Sequence, residues 1–290
     1  MQKHKNIKKF SKYLSEFEKK GFVLVKNFFK KKSCEKAARW LKFKNQKKLA
    51  KSWTEQEPAV PLAVYFAIHR NDTPISKLAK NKSLLNFASK LINDKVYIWS
   101  SKVNLKVAWC GTAEYYHQDM VYWKDRGYLK DKMMSAMIIL ESHKINNAAL
   151  HVFPGTHKLG FIKHEPFINI NGLAKFMISP KNLDKFKKKF GVKVVEAEPG
   201  DVLFFHASLV HGSGHNISSD GRMVILSQLN TKNNLPKNVN KKAILFNLSR
   251  AKKEYKEAKR RMKWFKKKYI TQLKSNKLTF HAPIVKEEKY

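Results

Sequence analysis

The beginning of the chain alternates between helical and extended patterns of apolar residues. Four apolar residues recur three or four positions apart: Ile7, Phe10, Leu14 and Phe17. This spacing predicts an amphipathic helix over 7–20 that ends at Gly21, and the run FVLVKNFF after it predicts a strand. The next segment, KKKSCEKAARWLKFKNQKKL, predicts a second helix with Ser33 as its N-cap.

Short β-rich runs dominate the middle of the chain. Before them, residues 53–75 contain three prolines and are predicted to form a loop or lid, and a helix is predicted over about 76–93. From Lys95 onward, apolar runs of strand length alternate with turn dipeptides such as Pro199-Gly200, which is typical of a β sandwich or barrel. One helical excursion is predicted near 179–190.

The C-terminal part of the chain has a helical pattern again. After about Asn230 a polar linker precedes a long stretch in which apolar residues recur every three or four positions, with a strongly basic opposite face. These patterns predict one domain over 1–235, with its N-terminal helices in 1–93 and its β core over about 95–230. A long basic C-terminal helix is predicted to form an extension over 236–290.

The positive charge of the chain is large but evenly distributed. The formal net charge is +38, yet only seven of the 60 basic residues are Arg, and the lysines are spread along nearly the whole sequence. This distribution favours a general lysine bias over a dedicated phosphate-binding surface. We therefore expect no specific nucleic-acid partner, although the basic C-terminal helix leaves a nucleic-acid or anionic-lipid surface as an alternative.

Features of compartment and targeting are few. The two cysteines have no CxxC spacing, which indicates a reducing compartment. The basic N-terminus is not followed by the apolar segment of a signal peptide, and no apolar run is long enough to cross a membrane. These observations predict a cytoplasmic protein and leave its oligomeric state open.

The stretch YYHQDMVYW places two potential metal ligands among aromatic residues. His117 and Asp119 are two residues apart, so their side chains face the same way on a strand or at its end. Iron(II) oxygenases hold the metal with two histidines and one carboxylate, which leaves positions open for an organic co-substrate and dioxygen. A histidine of the later cluster, which contains His206, His211 and His215, would complete such a set.

A rare arginine lies close to this histidine cluster in the sequence. Arg222 stands 11 residues after His211, and the intervening segment is rich in turn residues. The two residues are therefore expected on adjacent antiparallel strands that face one interior. An arginine fork binds a carboxylate in a bidentate way, as the distal carboxylate of 2-oxoglutarate requires.

Five segments in collinear order carry a family resemblance. They are SEFEKKGFVLVKNFF, YYHQDMVYW, NNAALHVFPGTHKLG, EPGDVLFFHASLVHGSGHN and GRMVIL. Over roughly residues 10–230 the chain resembles the phytanoyl-CoA dioxygenase family of Fe(II)- and 2-oxoglutarate-dependent oxygenases. The resemblance implies a mostly β fold with flanking helices around a double-stranded β-helix core, the jelly-roll or cupin-like architecture.

The resemblance also implies the metal ligands. His117, Asp119 and His211 are the implied ligands of Fe(II), because the family's distal histidine lies in the HGSG-like segment. His206 precedes His211 by five residues, an odd offset, so it is expected on the other face of a strand. Halogenating relatives replace the carboxylate, so the intact Asp119 favours hydroxylation by dioxygen, with decarboxylation of 2-oxoglutarate to succinate.

Further site residues follow from the same resemblance. Arg222 is the implied partner of 2-oxoglutarate, with Ser213 on the same carboxylate and Gln118 in the same pocket. Where some relatives carry a tryptophan that helps to hold the co-substrate, this chain has Met137.

The expected substrate is a small-molecule or lipid-like metabolite. Its pocket walls are expected from Tyr116, Tyr122 and Trp123, together with the proline-rich stretch 53–75. The alternative is a non-catalytic jelly-roll module that binds nucleic acid or anionic lipid through the basic C-terminal helix.

Overall fold

The structure, a computed structural model, describes residues 2–44, 63–66, 68–70, 72–109, 111–124, 127–128, 132–168 and 174–235. The helices in this part are α1 (Gln2–Lys20), α2 (Lys31–Lys44), α3 (Pro74–Ala79), α4 (Lys82–Leu91) and α5 (Pro180–Phe190). The strands are β1 (Phe22–Val25), β2 (Ala63–Phe66), β3 (Val96–Lys106), β4 (Glu114–His117), β5 (Met133–Ile139), β6 (Leu150–Val152), β7 (Glu165–Ile168), β8 (Ala174–Met177), β9 (Lys193–Val195), β10 (Val202–His206), β11 (His211–Ser213) and β12 (Arg222–Thr231).

Most strands belong to two antiparallel sheets. The larger sheet has six strands in the order β1-β10-β5-β12-β3-β2, and the smaller has four in the order β4-β11-β6-β9. Strands β7 and β8 form a separate antiparallel pair. The expectation of a mostly β fold with flanking helices is confirmed.

The larger sheet buries both of its faces. On β12, Met223 and Ile225 belong to a core that includes residues of α1 to α4, whereas Val224 and Leu226 belong to a second core shared with the smaller sheet. This alternation follows from the two-residue repeat of a strand, and it explains why every residue of β12 is buried. Each large apolar side chain buried in this way contributes about 1.5–3 kcal/mol. Buried polar side chains also lie in the space between the two sheets.

Several predicted element boundaries are wrong. Helix α2 begins at Lys31, so Ser33 lies inside it and is not its N-cap. Within the predicted 53–75 loop, residues 63–66 form β2, which pairs with β3 at the edge of the larger sheet. The helix predicted over 76–93 is two helices, because Asn81 accepts hydrogen bonds from the first backbone N–H groups of α4 and starts a new helix there. Helix α5 confirms the excursion predicted near 179–190.

The C-terminal linker and helix predicted after about Asn230 lie largely outside the described residues, as does most of the proline-rich stretch. None of the helices in the described part of the chain has the length and apolar character that a membrane span requires.

Candidate active site

Three candidate ligands come together at the end of the smaller sheet. His117 ends β4, and Asp119 begins the single helical turn that follows it. His211 begins β11 and is the direct register partner of His117. Gly212 permits this close pairing, because a Cβ atom there would lie 2.8 Å from the carbonyl oxygen of Glu114. The ligand atoms of the three side chains all lie within 4.8 Å of one another.

The hydrogen bonds of this cluster involve the Nδ1 atoms of both histidines and leave their Nε2 atoms facing Asp119. Nδ1 of His117 lies 2.7 Å from the carbonyl oxygen of Tyr115, and Nδ1 of His211 lies 3.0 Å from that of Leu209. Because a carbonyl oxygen only accepts, each Nδ1 carries a proton, so in the neutral form of each ring the lone pair is on Nε2. These Nε2 atoms lie 3.7 and 3.8 Å from the same oxygen, Oδ1 of Asp119. The arrangement is that of ligands around one metal ion.

The second carboxylate oxygen of Asp119 is held from the larger sheet. The hydroxyl of Ser135 on β5 donates to Oδ2 of Asp119 at 2.9 Å, and both side chains are buried. This hydrogen bond fixes the rotation of the carboxylate, so that Oδ1 faces the two imidazoles. Sequence reasoning did not find Ser135, because the contact crosses from one sheet to the other.

Electrostatics give the cluster the protonation state that a metal requires. Burial alone would raise the pKa of the Asp119 carboxyl, but the imidazoles of His117 and His211 outweigh burial and hold that pKa below its ordinary value. Burial, and then the neighbouring His117, lower the pKa of His211 to about 4. At neutral pH the site therefore offers an ionised carboxylate and a neutral imidazole, the forms that bind metal ions.

Two buried basic side chains lie beside each other between the sheets. Arg222, the first residue of β12, is the register partner of Lys106 at the end of β3. Nζ of Lys106 donates to the hydroxyl of Ser213 at 2.8 Å and to the carbonyl oxygens of Thr112 and Gly214 at 2.6 and 3.0 Å. Burial, and then the charge of Arg222, lower the pKa of Lys106 to about 6. Lys106 is a candidate site residue that sequence reasoning missed, since one lysine among 53 carries no signal without its partner.

The guanidinium of Arg222 retains an unused donor. Its Nη1 donates to the carbonyl oxygen of Ala148, whereas its buried Nε has no hydrogen-bond partner among the described residues. Burial of a cation without a partner is costly, so this atom indicates a site for an anionic ligand. The expected placement of Arg222 and His211 on adjacent strands is wrong. They lie on different sheets, which meet across the interior, because β12 pairs with β3 and β5 whereas β11 pairs with β4 and β6.

Gln118 is placed differently from the expected contact with 2-oxoglutarate. Its amide nitrogen donates to the carbonyl oxygens of Gly160 and Ser208 at 2.8 and 2.7 Å, and its amide oxygen accepts from the backbone N–H of Ile162 at 2.8 Å. Both amide hydrogens are therefore engaged by backbone groups. The observed contacts assign Gln118 to anchoring the 160–164 segment against the ligand turn.

A histidine that the sequence did not single out completes this anchor. Nε2 of His164 accepts the backbone N–H of Gln118 at 3.0 Å, and its Nδ1 donates to the carbonyl oxygen of Ile162 at 2.6 Å. The backbone between the two ligands of the HxD turn is thus fixed by an imidazole. His164 is buried, and burial lowers its pKa to about 4, which keeps Nε2 available as an acceptor.

The three aromatic residues expected as pocket walls have different surroundings. The ring of Tyr122 lies 5.8 Å from that of His117 and 5.6 Å from that of Phe176 on β8. Tyr116 instead bonds through its hydroxyl to Nδ1 of His151 at 3.0 Å, on the side of the Phe153 core. Trp123 is buried in a cluster with Trp99. Of the three, Tyr122 is the one in contact with a candidate ligand.

The other two histidines of the late cluster lie outside the candidate metal site. His206 ends β10 and packs near Phe17 of α1, with ring centroids 6.4 Å apart, on the helical face of the sheet. This is the opposite face from the interior. The odd offset from His211 is not the reason, because the two histidines lie on different strands, β10 and β11, of different sheets. His215 is exposed. Within the described residues, the group spaced to hold a metal ion consists of His117, Asp119 and His211.

Fold and site together define a class of protein. Two imidazoles and one carboxylate, buried between antiparallel sheets with cations behind them, form the ligand set of non-haem iron oxygenases. Residues 17–224, well over half of the chain, match the family model for phytanoyl-CoA dioxygenase (PhyH). The chain therefore belongs to the phytanoyl-CoA dioxygenase family.

Individual relatives agree with this assignment. The chain is similar to the L-proline trans-4-hydroxylase of Streptomyces griseoviridis, with 26% identity over 200 residues that cover 63% of this chain and 75% of the relative. It is also similar to the ectoine dioxygenase of Stutzerimonas stutzeri, with 24% identity over 222 residues that cover 72% of each chain.

Solved structures share the fold. EctD from S. alaskensis with 2-oxoglutarate and 5-hydroxyectoine matches with a TM-score of 0.65 and 22% identity over 78% of each chain. At 22% sequence identity, this structural similarity shows only that the two proteins share a fold. Family and relatives identify the chain as an Fe(II)- and 2-oxoglutarate-dependent dioxygenase and favour this function over a non-catalytic binding module.

Proposed function

We propose that the protein hydroxylates a small-molecule substrate at an iron centre held by His117, Asp119 and His211. The observation that carries this proposal is the convergence of the Nε2 atoms of two histidines on one oxygen of an ionised, buried carboxylate. When bound, iron(II) supplies the activation of dioxygen, so that one oxygen atom enters a C–H bond of the substrate and the other enters succinate as 2-oxoglutarate loses carbon dioxide.

Neighbouring groups hold the side chains of the three candidate metal ligands in a fixed geometry. Backbone carbonyl groups hold both imidazoles in one tautomer, and Ser135 holds the carboxylate. Such contacts raise metal affinity because the ligands need not reorganise when the ion binds. The backbone N–H bond to His164 does the same for the turn that carries Asp119.

Arg222, Lys106 and Ser213 are proposed to bind the distal carboxylate of 2-oxoglutarate. The unpaired Nε of Arg222 is a donor for one carboxylate oxygen. The hydroxyl oxygen of Ser213 already accepts from Lys106, so its hydrogen remains available to donate to the same carboxylate. The distal carboxylate would compensate the buried charge of Arg222.

Closure of the site against water is proposed to involve the β7–β8 pair. Lys175 on β8 forms an ion pair with Glu114 on β4, with Nζ 2.6 Å from Oε2, and Phe176 lies beside Tyr122. The backbone N–H of Ile178 donates to the carbonyl oxygen of Tyr116 at 2.8 Å. These contacts tie the hairpin to the strand that ends in His117.

Binding of 2-oxoglutarate is predicted to take up a proton through Lys106. In the absence of 2-oxoglutarate, burial is the main cause that lowers the pKa of Lys106 to about 6. The amine of Lys106 is therefore mainly neutral at pH 8. A carboxylate beside it favours the charged form, which raises that pKa in the complex. Affinity is therefore highest below about pH 6 and is expected to fall as the pH rises, by up to about tenfold per pH unit.

The measurement is the affinity for 2-oxoglutarate under anaerobic conditions between pH 6 and 8.5, with calorimetry at pH 8 in two buffers of different ionisation enthalpy. The Lys106→Met variant should show no proton uptake. If the binding enthalpy of 2-oxoglutarate to the wild type is the same in both buffers, no proton is taken up, and this role of Lys106 is contradicted.

Finer features of the molecule also belong to this proposal. We propose that the two sheets form a double-stranded β-helix core within a domain over 1–235, and that 236–290 forms a basic helical C-terminal extension. We further propose that the protein acts in the cytoplasm without a specific nucleic-acid partner. Support for a small-molecule substrate comes from the relatives, whose names specify L-proline and ectoine.

The experiment that tests the proposed function uses the purified protein with Fe(II) and 2-oxoglutarate. Without dioxygen, the mixture should develop a weak visible charge-transfer band. With dioxygen, 2-oxoglutarate should be converted to succinate. Absence of both the band and succinate would refute the proposal.

A further inference from the structure

A second inward-facing lysine lies on the same strand as Lys106. Lys102 and Lys106 are four residues apart on β3, and their register partners on β12 are Leu226 and Arg222. Residues at even spacing on a strand share a face, so both lysines point toward the space between the sheets. At about 3.3 Å per residue, their Cα atoms are about 13 Å apart along the strand. The strand therefore presents cations at two separate places in the interior.

Lys102 lies toward the metal end of this interior. Leu226, its register partner, also pairs with Met137, which is two residues from Ser135, the residue that holds Asp119. Burial lowers the pKa of Lys102, and the charges of Asp119 and then of Glu114 act against that shift. The ammonium of Lys102 is thus close enough for the charge of the Asp119 carboxylate to raise its pKa.

The ammonium of Lys102 has no ion-pair partner in the part of the chain that the structure describes. Glu114 is paired with Lys175, whose Nζ lies 2.7 and 2.6 Å from its two carboxylate oxygens. Asp119 faces the two imidazoles with one oxygen and Ser135 with the other. The nearby carboxylates are therefore already engaged, and a partly buried cation remains uncompensated, which is unfavourable unless a ligand pairs with it.

In the proposed function, both carboxylates of the co-substrate already have partners. The distal carboxylate of 2-oxoglutarate is proposed to bind Arg222, Lys106 and Ser213, and the Cα atom of Lys106 is about 13 Å along the strand from that of Lys102. Its keto acid end is assigned to the metal. The other molecule that enters the site is the substrate, so an anionic group on the substrate is the candidate partner of Lys102.

We infer that the substrate carries a carboxylate and that the ammonium of Lys102 binds this group next to the metal centre. The inference rests on the proposed function and specifies the substrate class of the same site. One ammonium matches one negative charge, and the nearby Glu114 would repel a second charge. This favours a carboxylate over a dianionic phosphate. The apolar neighbours Leu226 and Met137 strengthen the pairing because they exclude water from it.

The test compares acids with their amides. Straight-chain carboxylic acids and L-amino acids are assayed for stimulation of succinate release by the iron-loaded enzyme, each beside its primary amide. The wild type is expected to prefer at least one acid over its amide by about tenfold to a hundredfold in kcat/KM, the range of a charge-assisted hydrogen bond. Anaerobic binding of that acid to the complex with Fe(II) and 2-oxoglutarate, followed by visible absorption, should show the same preference.

Variants assign the preference to one residue. Lys102→Met should lose the preference for the acid in both measurements, whereas Lys102→Arg should retain most of it because the charge remains. Lys95→Met is the matched control, since Lys95 is an exposed lysine just before the same strand, and it should behave like the wild type.

Three results would count against the inference. They are a wild type that accepts amides as well as acids, a Lys102→Met variant that keeps the preference, and a Lys102→Met variant in which the KM for 2-oxoglutarate rises as much as that for the acid. A wild type that turns over no 2-oxoglutarate, alone or with any compound, overturns the proposed function together with this inference. Turnover without a preference for acids overturns the inference alone.

Discussion

Replacing Asp119 by alanine is expected to weaken iron binding by more than about a hundredfold and to abolish succinate formation. Loss of groups that merely orient metal ligands typically costs about 10–100-fold in affinity, so loss of a direct ligand should exceed that range. Asp119 is also the oxygen donor on which both imidazoles converge. Equilibrium dialysis of Fe(II) and the anaerobic charge-transfer band with 2-oxoglutarate measure the effect.

Histidine variants provide the matched control for this prediction. His211→Ala should match Asp119→Ala, whereas His215→Ala should bind iron like the wild type. His215 is four residues further along the chain and is exposed. Retention of the band in Asp119→Ala, or an equal loss in both histidine variants, would show that these residues do not form the metal site.

Replacing Arg222 by leucine is expected to raise the KM for 2-oxoglutarate at least about thirtyfold. Removal of one partner from a buried, hydrogen-bonded charge pair costs about 2–5 kcal/mol, and 2 kcal/mol corresponds to about thirtyfold. The guanidinium is buried, has an unpaired Nε and lies beside Lys106, so the leucine variant leaves one cation where there were two. The effect is measured as the 2-oxoglutarate dependence of succinate formation.

Two further variants make this result specific. Arg222→Lys should recover part of the affinity, because it restores the charge without the fork. Arg39→Leu, at an exposed position on α2, should leave the KM for 2-oxoglutarate unchanged. A similar KM in Arg222→Leu and the wild type would assign the distal carboxylate to other residues.

Sequence reasoning succeeded where the geometry is local. The two-residue spacing of His117 and Asp119 was sufficient to place both side chains on one side of a strand end. The order of five short segments identified the family, because the distances between motifs reflect a shared fold even when each motif is weak.

Sequence reasoning failed where the geometry depends on which strands pair. The turn-rich segment between His211 and Arg222 was interpreted as a hairpin between neighbouring strands, but the two strands belong to different sheets. Gln118 was expected in the co-substrate pocket, yet its amide contacts backbone groups at Gly160, Ile162 and Ser208, which are distant in sequence. Neither outcome follows from local pattern, since both depend on the packing of remote segments.

By itself, the sequence determined the class of the protein and its two principal chemical groups, the HxD pair and the single arginine in the last β-rich run. Only the tertiary structure decided which of many lysines matter. Among the lysines that the structure describes, Lys106 and Lys102 are distinguished by burial and by their register opposite Arg222 and Leu226. The physical reason is that spacing along the chain fixes the face of one strand, whereas the charge environment of a side chain depends on the strands and sheets that fold against it.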